Sequence, residues 1–579
     1  MKRYILSFAA LLAGGMLYAQ EDTRNAVVSV ENDYNPTVVQ VNKKSFTPTV
    51  EGKSNTKPAE LIFSKQATPL SGFTSERDSK ELLPAQEHSL PGYLRLGYGI
   101  RNDIDAKLGY NLKFNDRSHL RILGAFDGFK SDVDGIAGEW NSRMYNTAAT
   151  ADFTYDFRKF ALGVTGDLNN RVFNYQRVNN MPDFSDRQRQ ANYNIGMKGA
   201  SKFAGPFDFE VRAGYTHSLM GYSAGVDNAI KENHTNAGLL MTYEIFDKKL
   251  HRIGMDVDFN LFMYNDLLRE AEHSYRNLLS MDFNPFVEMD FSGWKMMFGT
   301  KMNFRTANGP AFAIAPNITV DKSLTKRISF YANVTGGRKD NSFRTIEGIT
   351  PYWGYANENR QLKPTYRIVD AVAGTRLTLE PLSFDVFAGY AYTKDDLMQS
   401  ISYLYGEPVK EGPFFVGSQL VYITTIPSVL AYSGLGQANT SNVHVGSRIG
   451  YDCGGWLNIS ADARYDYWSC KERQLLMMKP EVTINANIEV RPIRNLAMKA
   501  GYNFTRYTRS DIPAVVDMTL TEIARINNRH DLHARISYSI NRYFGAYIQG
   551  DNLLNSKYYD YAGYMTRGIR GLLGVTVSF

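Results

Sequence analysis

Long runs of alternating apolar and polar residues fill most of this 579-residue chain. One face of the run 457–467 carries Leu457, Ile459, Ala461, Ala463, Tyr465 and Tyr467, and the other carries Asn458, Ser460, Asp462, Arg464 and Asp466. The runs 207–216 and 532–540 alternate in the same way. Strands of soluble sandwiches also alternate, but they are usually about five or six residues long. Runs this long suit tilted strands that cross a membrane, with apolar faces toward lipid and polar faces toward a lumen.

The amino-acid composition excludes several other classes of protein. Phe, Tyr and Trp make up 13% of the chain, which excludes wholesale disorder. Mean hydropathy is −0.34, and no apolar stretch long enough for a membrane helix follows the first twenty residues. Two cysteines cannot form a disulfide scaffold or a four-cysteine zinc site. A net charge of +6 over this length does not indicate a nucleic-acid partner.

The first residues have the features of a secretory signal peptide. Lys2 and Arg3 precede a mostly apolar stretch, and Ala19 supplies the small residue at a cleavage site. We therefore expect residues 1–19 to be removed. Because no cysteine follows the cleavage site, a lipoprotein is not expected.

Residues 20–91 differ in composition from the rest of the chain. Prolines recur at 36, 48, 58, 69, 84 and 91, too closely for long helices or strands. We expect an extended segment in the periplasm or the lumen. Its β-prone piece, with Val27, Val28 and Val30 followed by Tyr34, is a candidate strand for the sheet edge of a partner. A solvated leader is an equally good interpretation.

From residue 92 to 579 we predict one all-β domain, a transmembrane barrel of about 22 antiparallel strands. Short links alternate with longer polar stretches, as do the periplasmic turns and outer loops of outer-membrane barrels. The short links are 115–117, 157–159, 204–206, 291–293, 381–382, 453–455, 491–494 and 541–543, and the long stretches include 177–188, 338–365 and 400–437. Lumen-facing charges such as Asp208, Glu210, Arg212, Asp462 and Arg464 are expected to form ion pairs along the wall.

The last strand carries the strongest local signal. Val575, Val577 and Phe579 share its apolar face, and the chain ends on the aromatic residue. This ending resembles the signal that hands outer-membrane barrels to their assembly machinery. The phrase from Asp551 to Tyr558 and the phrase from Asn357 to Pro364 resemble closing-strand and loop phrases of TonB-dependent outer-membrane receptors.

The resemblance implies a 22-stranded barrel in the outer membrane of a Gram-negative bacterium, and the style of the signal peptide resembles Bacteroidota proteins. Residues 26–30 resemble a TonB box. The family also carries an N-terminal plug domain, for which residues 20–91 are too short and lack the sheet pattern. Residues 20–91, the long outer loops or a partner are therefore the candidates for filling the lumen.

The sequence contains no recognisable catalytic or metal-binding motif. The nine histidines are scattered, and no nucleophile elbow, phosphate loop or zinc-protease helix is present. We expect no catalytic residues, no metal site and no cofactor. Cys453 at a turn and Cys470 near the far end of the next strand are too far apart for a disulfide.

Three functional hypotheses follow. The first is uptake or passage of a nutrient, with Tyr352, Trp353 and Tyr355 in a long loop stacking on the ligand. The second is a barrel without a plug that serves as a scaffold or assembly subunit of an outer-membrane complex. The third, a barrel enzyme, has the least support. The expected partners are outer-membrane lipid, the barrel-assembly machinery, and either TonB or a surface or periplasmic lipoprotein, with no nucleic acid.

Overall fold

The structure is a computed structural model. It describes residues 90–135, 138–178, 187–202, 205–221, 229–245, 251–265, 275–353, 361–405, 414–416, 419–421, 429–508, 511–516 and 519–579. Residues 1–89 lie outside this part of the chain, so the structure does not test the expectations for the signal peptide and for residues 20–91.

The described residues form one large sheet of 23 strands. One of them, Gln176–Val178, is short and lies across one end, which leaves 22 strands in the wall. The first eleven are β1 (Gly92–Gly99), β2 (Ile104–Asn115), β3 (Ser118–Gly135), β4 (Gly138–Asp156), β5 (Phe160–Asn174), β6 (Arg187–Ser201), β7 (Phe207–Gly221), β8 (Ile230–Glu244), β9 (His251–Tyr264), β10 (Leu278–Phe291) and β11 (Trp294–Arg305). The others are β12 (Phe312–Ser323), β13 (Ile328–Lys339), β14 (Thr365–Leu379), β15 (Leu382–Tyr405), β16 (Val429–Cys453), β17 (Leu457–Cys470), β18 (Pro480–Ile493), β19 (Leu496–Tyr507), β20 (Arg529–Ser539), β21 (Phe544–Asp551) and β22 (Arg570–Ser578).

The sheet closes on itself. Each wall strand pairs antiparallel with the next one in sequence, and β22 pairs antiparallel with β1, for example Ser578 with Tyr93. The predicted all-β barrel of 22 strands is therefore confirmed. Among the described residues, no helix is long and apolar enough to cross a membrane.

Smaller elements lie between the wall strands. They are the helix α1 (Phe343–Ile349), the 3-10 turns Ile100–Asn102 and Arg473–Met478, and three short hairpins of Phe414–Val416 with Gln419–Val421, Asp511–Val516 with Thr519–Arg525, and Tyr559–Tyr561 with Tyr564–Met565.

The two ends of the barrel differ in their connections. Both ends of the wall, Gly92 and Ser578, lie at the end where the links are short. Seven of the eight predicted links lie within the described residues and join neighbouring strands there, and 204–206 lies partly outside them. In outer-membrane barrels short turns face the periplasm. The opposite end, with the longer connections, is therefore called the outer end.

The alternation sorts side chains as predicted. Leu573 and Tyr467 are more than 60% exposed on the outer surface. Inward-facing charges pair with one another, since Arg212 contacts Asp256 and Asp258 and Lys198 lies 3.0 Å from Glu210. Cys453 and Cys470 are both free and lie at opposite ends of the ladder between β16 and β17, where Cys453 pairs with Leu457 and Cys470 with Thr440.

Candidate functional site

The outer mouth of the barrel is crossed by one long hairpin. Strands β15 and β16 remain paired well beyond their neighbours, and a register shift between Thr393 and Asp396 interrupts their ladder where they leave the wall. Bulges of this kind bend a strand and increase its twist. Residues 429–431, at the outer tip of β16, pair antiparallel with Gln176–Val178, which follows β5. β16 is the eleventh strand after β5 in a ring of 22 and therefore lies opposite to it, so this hairpin spans the mouth from one side to the other.

A second connection folds under the hairpin. Residues 340–353 carry α1, which begins after Ser342, whose hydroxyl accepts a hydrogen bond from the Thr345 amide at 3.2 Å. Phe343 and Ile346 lie on the buried side of the helix. They pack against inward-facing apolar side chains at the outer ends of the wall strands, namely Phe129, Met144, Phe173, Met220, Phe262 and Leu278.

Tyr352 and Trp353, predicted from the sequence as ligand-stacking residues, lie at the centre of this cluster. Trp353 is 1% exposed, and its ring centroid is 5.3 Å from that of Phe343. Tyr352 stacks on Tyr564 with ring centroids 3.6 Å apart and meets Phe173 edge-on at 5.3 Å. Their contacts in the structure are with protein rings, and their role toward a ligand stays a prediction.

A third connection, 552–569, completes the assembly. Its short hairpin places Tyr561 and Tyr564 in the same aromatic cluster, and Ala562 is fully buried. Trp140 of β4 meets Tyr564 edge-on at 5.8 Å. We call residues 340–353 and 552–569, together with the hairpin residues 396–405 and 429–438, the mouth cap.

Polar side chains attach the mouth cap to the wall and its parts to one another. Gln399 donates a hydrogen bond to the carbonyl of Ile349 and accepts one from the Ala562 amide, both at 3.0 Å, and so joins all three connections. The Tyr175 hydroxyl donates to the Trp353 carbonyl at 2.7 Å, and Gln190 donates to the Pro351 carbonyl at 2.7 Å. The main chain of 349–353 is therefore held at both sides of the mouth.

Two buried carboxyl groups flank α1. Glu232 of β8 accepts a hydrogen bond from the Phe343 amide at 3.1 Å. Glu347, on α1 itself, accepts a hydrogen bond from the side-chain amide of Asn192 at 2.6 Å. Burial raises the pKa of Glu347 to about 7, against a smaller opposing effect of the Arg171 guanidinium, because the charged form loses its water. Near neutral pH this side chain is therefore a mixture of its acid and its carboxylate.

Other predicted site residues can be placed as follows. Tyr355, Val27, Val28, Val30 and Tyr34 lie outside the described residues. Val575 and Phe579 are exposed on the outer face of the barrel, with Val577 on the same face, and Phe579 stacks on Tyr110 with ring centroids 5.9 Å apart. Their role as an assembly signal stays a prediction. No group of three or more His, Cys, Asp or Glu side chains able to hold a metal ion occurs in the described part of the chain.

Sequence reasoning missed the parts of the mouth cap that hold it together. Gln399, Gln190 and Glu347 are polar residues in stretches that read as loop or wall, and their contacts span more than a hundred residues. One signal was available for α1. Ser342 before Phe343 and Ile346, three residues apart, has the pattern of an N-cap and one apolar helix face.

The closed ring of 22 antiparallel strands, apolar outside and charged inside, is a transmembrane β-barrel of the Gram-negative outer-membrane type. Solved structures place this fold more narrowly. The chain is similar to a ferric enterobactin receptor from Pseudomonas aeruginosa, with a TM-score of 0.61 and 10% identity over 84% of this chain and 80% of that one. It is also similar to a siderophore receptor from Acinetobacter baumannii, with a TM-score of 0.60 and 10% identity over 86% and 81%.

A third similar structure is an iron transporter from Neisseria meningitidis, with a TM-score of 0.60 and 11% identity over 87% of this chain and 83% of that one. At such low identity the likeness concerns the fold. No protein-family model matches the sequence, and no curated protein matches it either.

Proposed function

We propose that this protein takes up a nutrient across the outer membrane as a receptor-like barrel. The observation that carries the proposal is the mouth cap, in which three connections meet over the outer mouth and are joined through Gln399. A barrel of 22 strands is wide enough to enclose a large passage. An opening of that width needs a closure that yields only to the proper solute, and the mouth cap lies where such a closure is required.

The similar solved structures support a proposal for the kind of nutrient that this barrel takes up. They are a receptor for ferric enterobactin, a siderophore receptor and an iron transporter. We extend this to a nutrient too large for porins, and we retain the predicted stacking of Tyr352, Trp353 and Tyr355 on it. For the first two, stacking requires that the aromatic cluster of the mouth cap opens, because their rings now contact Phe173, Phe343 and Tyr564.

The remaining parts of the proposal concern partners. We propose that residues 20–91 act on the periplasmic side, where Val27, Val28, Val30 and Tyr34 would add a strand to TonB or to a lipoprotein. Val575, Val577 and Phe579 would be read by the barrel-assembly machinery. We propose no catalytic role, in keeping with structural neighbours that are receptors and transporters. A Bacteroidota source remains part of the same proposal.

A scaffold function is the second candidate, and the closed mouth favours it as well. Hydrogen bonds such as Tyr175 to Trp353 and Gln190 to Pro351 tie the mouth cap to the wall, as expected of a barrel that conducts nothing. In this case residues 20–91 would bind the partner complex.

One experiment separates the two functions. The protein is purified in detergent, analysed for bound proteins, and reconstituted in liposomes whose swelling reports solute entry, in parallel with growth of a deletion strain on limiting nutrients including siderophore-bound iron. Uptake predicts loss of growth on a particular nutrient, restored by the gene. A stable partner, no swelling and no growth defect would overturn uptake in favour of the scaffold.

A further inference from the structure

The long hairpin of β15 and β16 leaves the wall at a bulge with unusual backbone geometry. The ladder between the two strands shifts register between Thr393 and Asp396. Asp395, within the bulge, has a φ of +49°, in the left-handed region that few residues other than glycine adopt. Bulges bend a strand, and hinges occur at the ends of such elements. We call residues 393–396 and 438–440 the base of the hairpin.

The base is firmly attached to the wall. The Asp396 carboxylate accepts a hydrogen bond from the Thr440 hydroxyl at 2.9 Å and pairs with the Lys479 ammonium at 2.8 Å. Three buried apolar side chains pack together beside it, namely Met398, Ala438 and Leu476. Among the described side chains of residues 393–400 and 434–441, no buried polar atom lacks a hydrogen-bond partner. The hairpin is therefore well held on this side of the mouth.

The opposite side of the mouth, formed by β3 to β6, is less well satisfied. Five side chains there are at most 9% exposed and carry polar atoms that have no hydrogen-bond partner in the protein, namely Ser131, Trp140, Gln188, Glu347 and Trp353. In Gln188 both the nitrogen and the oxygen of the side-chain amide are unpaired. A buried polar group without a partner has lost its water and gained no hydrogen bond, so it destabilises the closed mouth.

Gln188 and Gln190 face the mouth cap from neighbouring inward positions of β6, and each is 1% exposed. Gln190 donates a hydrogen bond to the Pro351 carbonyl at 2.7 Å, whereas the Gln188 amide donates none. The tip of the hairpin reaches this side as well, where residues 429–431 form three residue pairs with Gln176–Val178. On the side of β3 to β6 the mouth cap is therefore held by a short ladder and a partly unpaired polar interface.

We propose that the mouth cap is a lid that hinges at the base of the hairpin and opens first on the side of β3 to β6. The aromatic cluster favours the closed lid. The unpaired polar atoms oppose closure, because they regain water when the tip of the hairpin lifts. This extends the proposed uptake by stating how the mouth opens. Its test requires no solute, so its failure is distinguishable from a failure of the growth experiment.

The first test compares two matched substitutions on β6 in the full-length protein. Gln188→Met keeps the approximate size of the side chain and removes its two unpaired polar groups, so the closed lid should become more stable. Gln190→Met removes the hydrogen bond to Pro351, so the closed lid should become less stable. Hydrogen–deuterium exchange of peptides covering 340–353 measures lid opening, and residues 486–493 at the periplasmic end of β18 serve as the internal reference.

We expect exchange of 340–353 to slow by roughly tenfold in Gln188→Met and to accelerate by roughly tenfold in Gln190→Met, with 486–493 unchanged in both. Unchanged or faster exchange in Gln188→Met would overturn the proposal, because the Gln188 amide would then not oppose closure. Circular dichroism and heat-dependent mobility on SDS gels establish that each barrel is folded.

The second test locates the hinge with two disulfides. The tip variant carries Val178→Cys and Val429→Cys, and the base variant carries Thr440→Cys opposite the native Cys470, each in a background without other cysteines. Register partners in an antiparallel ladder lie within the Cα distance that a disulfide needs. After mass spectrometry has established each bond, exchange of 340–353 is compared between the oxidised and the reduced form of the same variant.

Oxidation should slow exchange by on the order of tenfold or more in the tip variant, because the lid can no longer lift on that side. It should leave exchange unchanged in the base variant, because Thr440 and Cys470 stay together when the hairpin turns about its base. Equal slowing in both variants, or no slowing in the tip variant, would overturn the position of the hinge.

Discussion

Replacing Trp353 with alanine should release the mouth cap without unfolding the barrel. The side chain is 1% exposed, and its ring contacts Phe343 within the aromatic cluster. Truncating a buried tryptophan costs about 3–5 kcal/mol. Because about 1.4 kcal/mol is a factor of ten, local opening of the mouth cap should increase by about two to four orders of magnitude.

Hydrogen–deuterium exchange followed by mass spectrometry measures this opening directly. In Trp353→Ala, peptides covering 340–353 and 552–569 should exchange faster, because both connections share the cluster with Trp353. Peptides from the periplasmic ends of wall strands, such as residues 486–493 of β18, should be unchanged, since the ladder between strands does not depend on this ring. Liposomes carrying the variant should also admit more solute than those carrying wild type.

Two control variants make the result interpretable. Trp456→Ala removes a ring that is 52% exposed at a turn of the opposite end, and it should leave exchange of the mouth cap unchanged. Trp353→Phe keeps most of the apolar contact and should lie close to wild type. If Trp353→Ala left exchange of the mouth cap unchanged, or if it accelerated all strands equally, the mouth cap would not be a separate unit held by its aromatic core.

Three further predictions concern other parts of the structure. Glu347→Gln should reduce the pH dependence of mouth-cap stability, measured by hydrogen exchange after correction for the intrinsic effect of pH on amide exchange. Burial raises the pKa of Glu347 to about 7, so its contribution to wild-type stability is greatest below the unfolded pKa near 4.5 and falls by on the order of 2–3 kcal/mol as pH rises to 7, whereas glutamine stays neutral. Val178→Cys with Val429→Cys, in a background without the native cysteines, should form a disulfide, because the two residues are register partners; oxidation should block uptake and reductant should restore it. Arg212→Ala leaves carboxylates of the lumen wall unpaired and should lower the free energy of unfolding in urea by about 3 kcal/mol, while a lysine at this position recovers part of the loss.

The barrel itself could be predicted from the sequence because it depends on local rules. Side chains of a strand alternate between two faces, so the outward position of Tyr467 and the inward position of Arg464 follow from parity alone. The short links could be predicted in the same way, and so could the positions of Cys453 at the turn before β17 and Cys470 at the far end of that strand. Each of these inferences needs only residues that are close in sequence.

The mouth cap could not be predicted in the same way because its contacts are remote. The Tyr175 hydroxyl meets the Trp353 carbonyl across 178 residues, and the strand pair of Val178 with Val429 exists only because β5 and β16 are opposite in the closed ring. Tyr352 and Trp353 were predicted to stack on a ligand because they are aromatic residues in a long loop. The sequence does not show that their rings pack on protein side chains in the closed mouth.

One pattern in the wall does contain information about the mouth cap. In the middle of the barrel the inward residues are charged or polar, such as Arg212 and Asp256, but at the outer end the same parity carries Phe129, Phe173 and Phe262. Rings facing a water-filled mouth would expose a large apolar surface, which is unfavourable. The change from charge to aromatic along a single inward face therefore requires a covering segment. The inward aromatic residues therefore favour the closed mouth. Under the proposed uptake function, a solute would supply binding energy comparable to the lost aromatic contacts in order to open it.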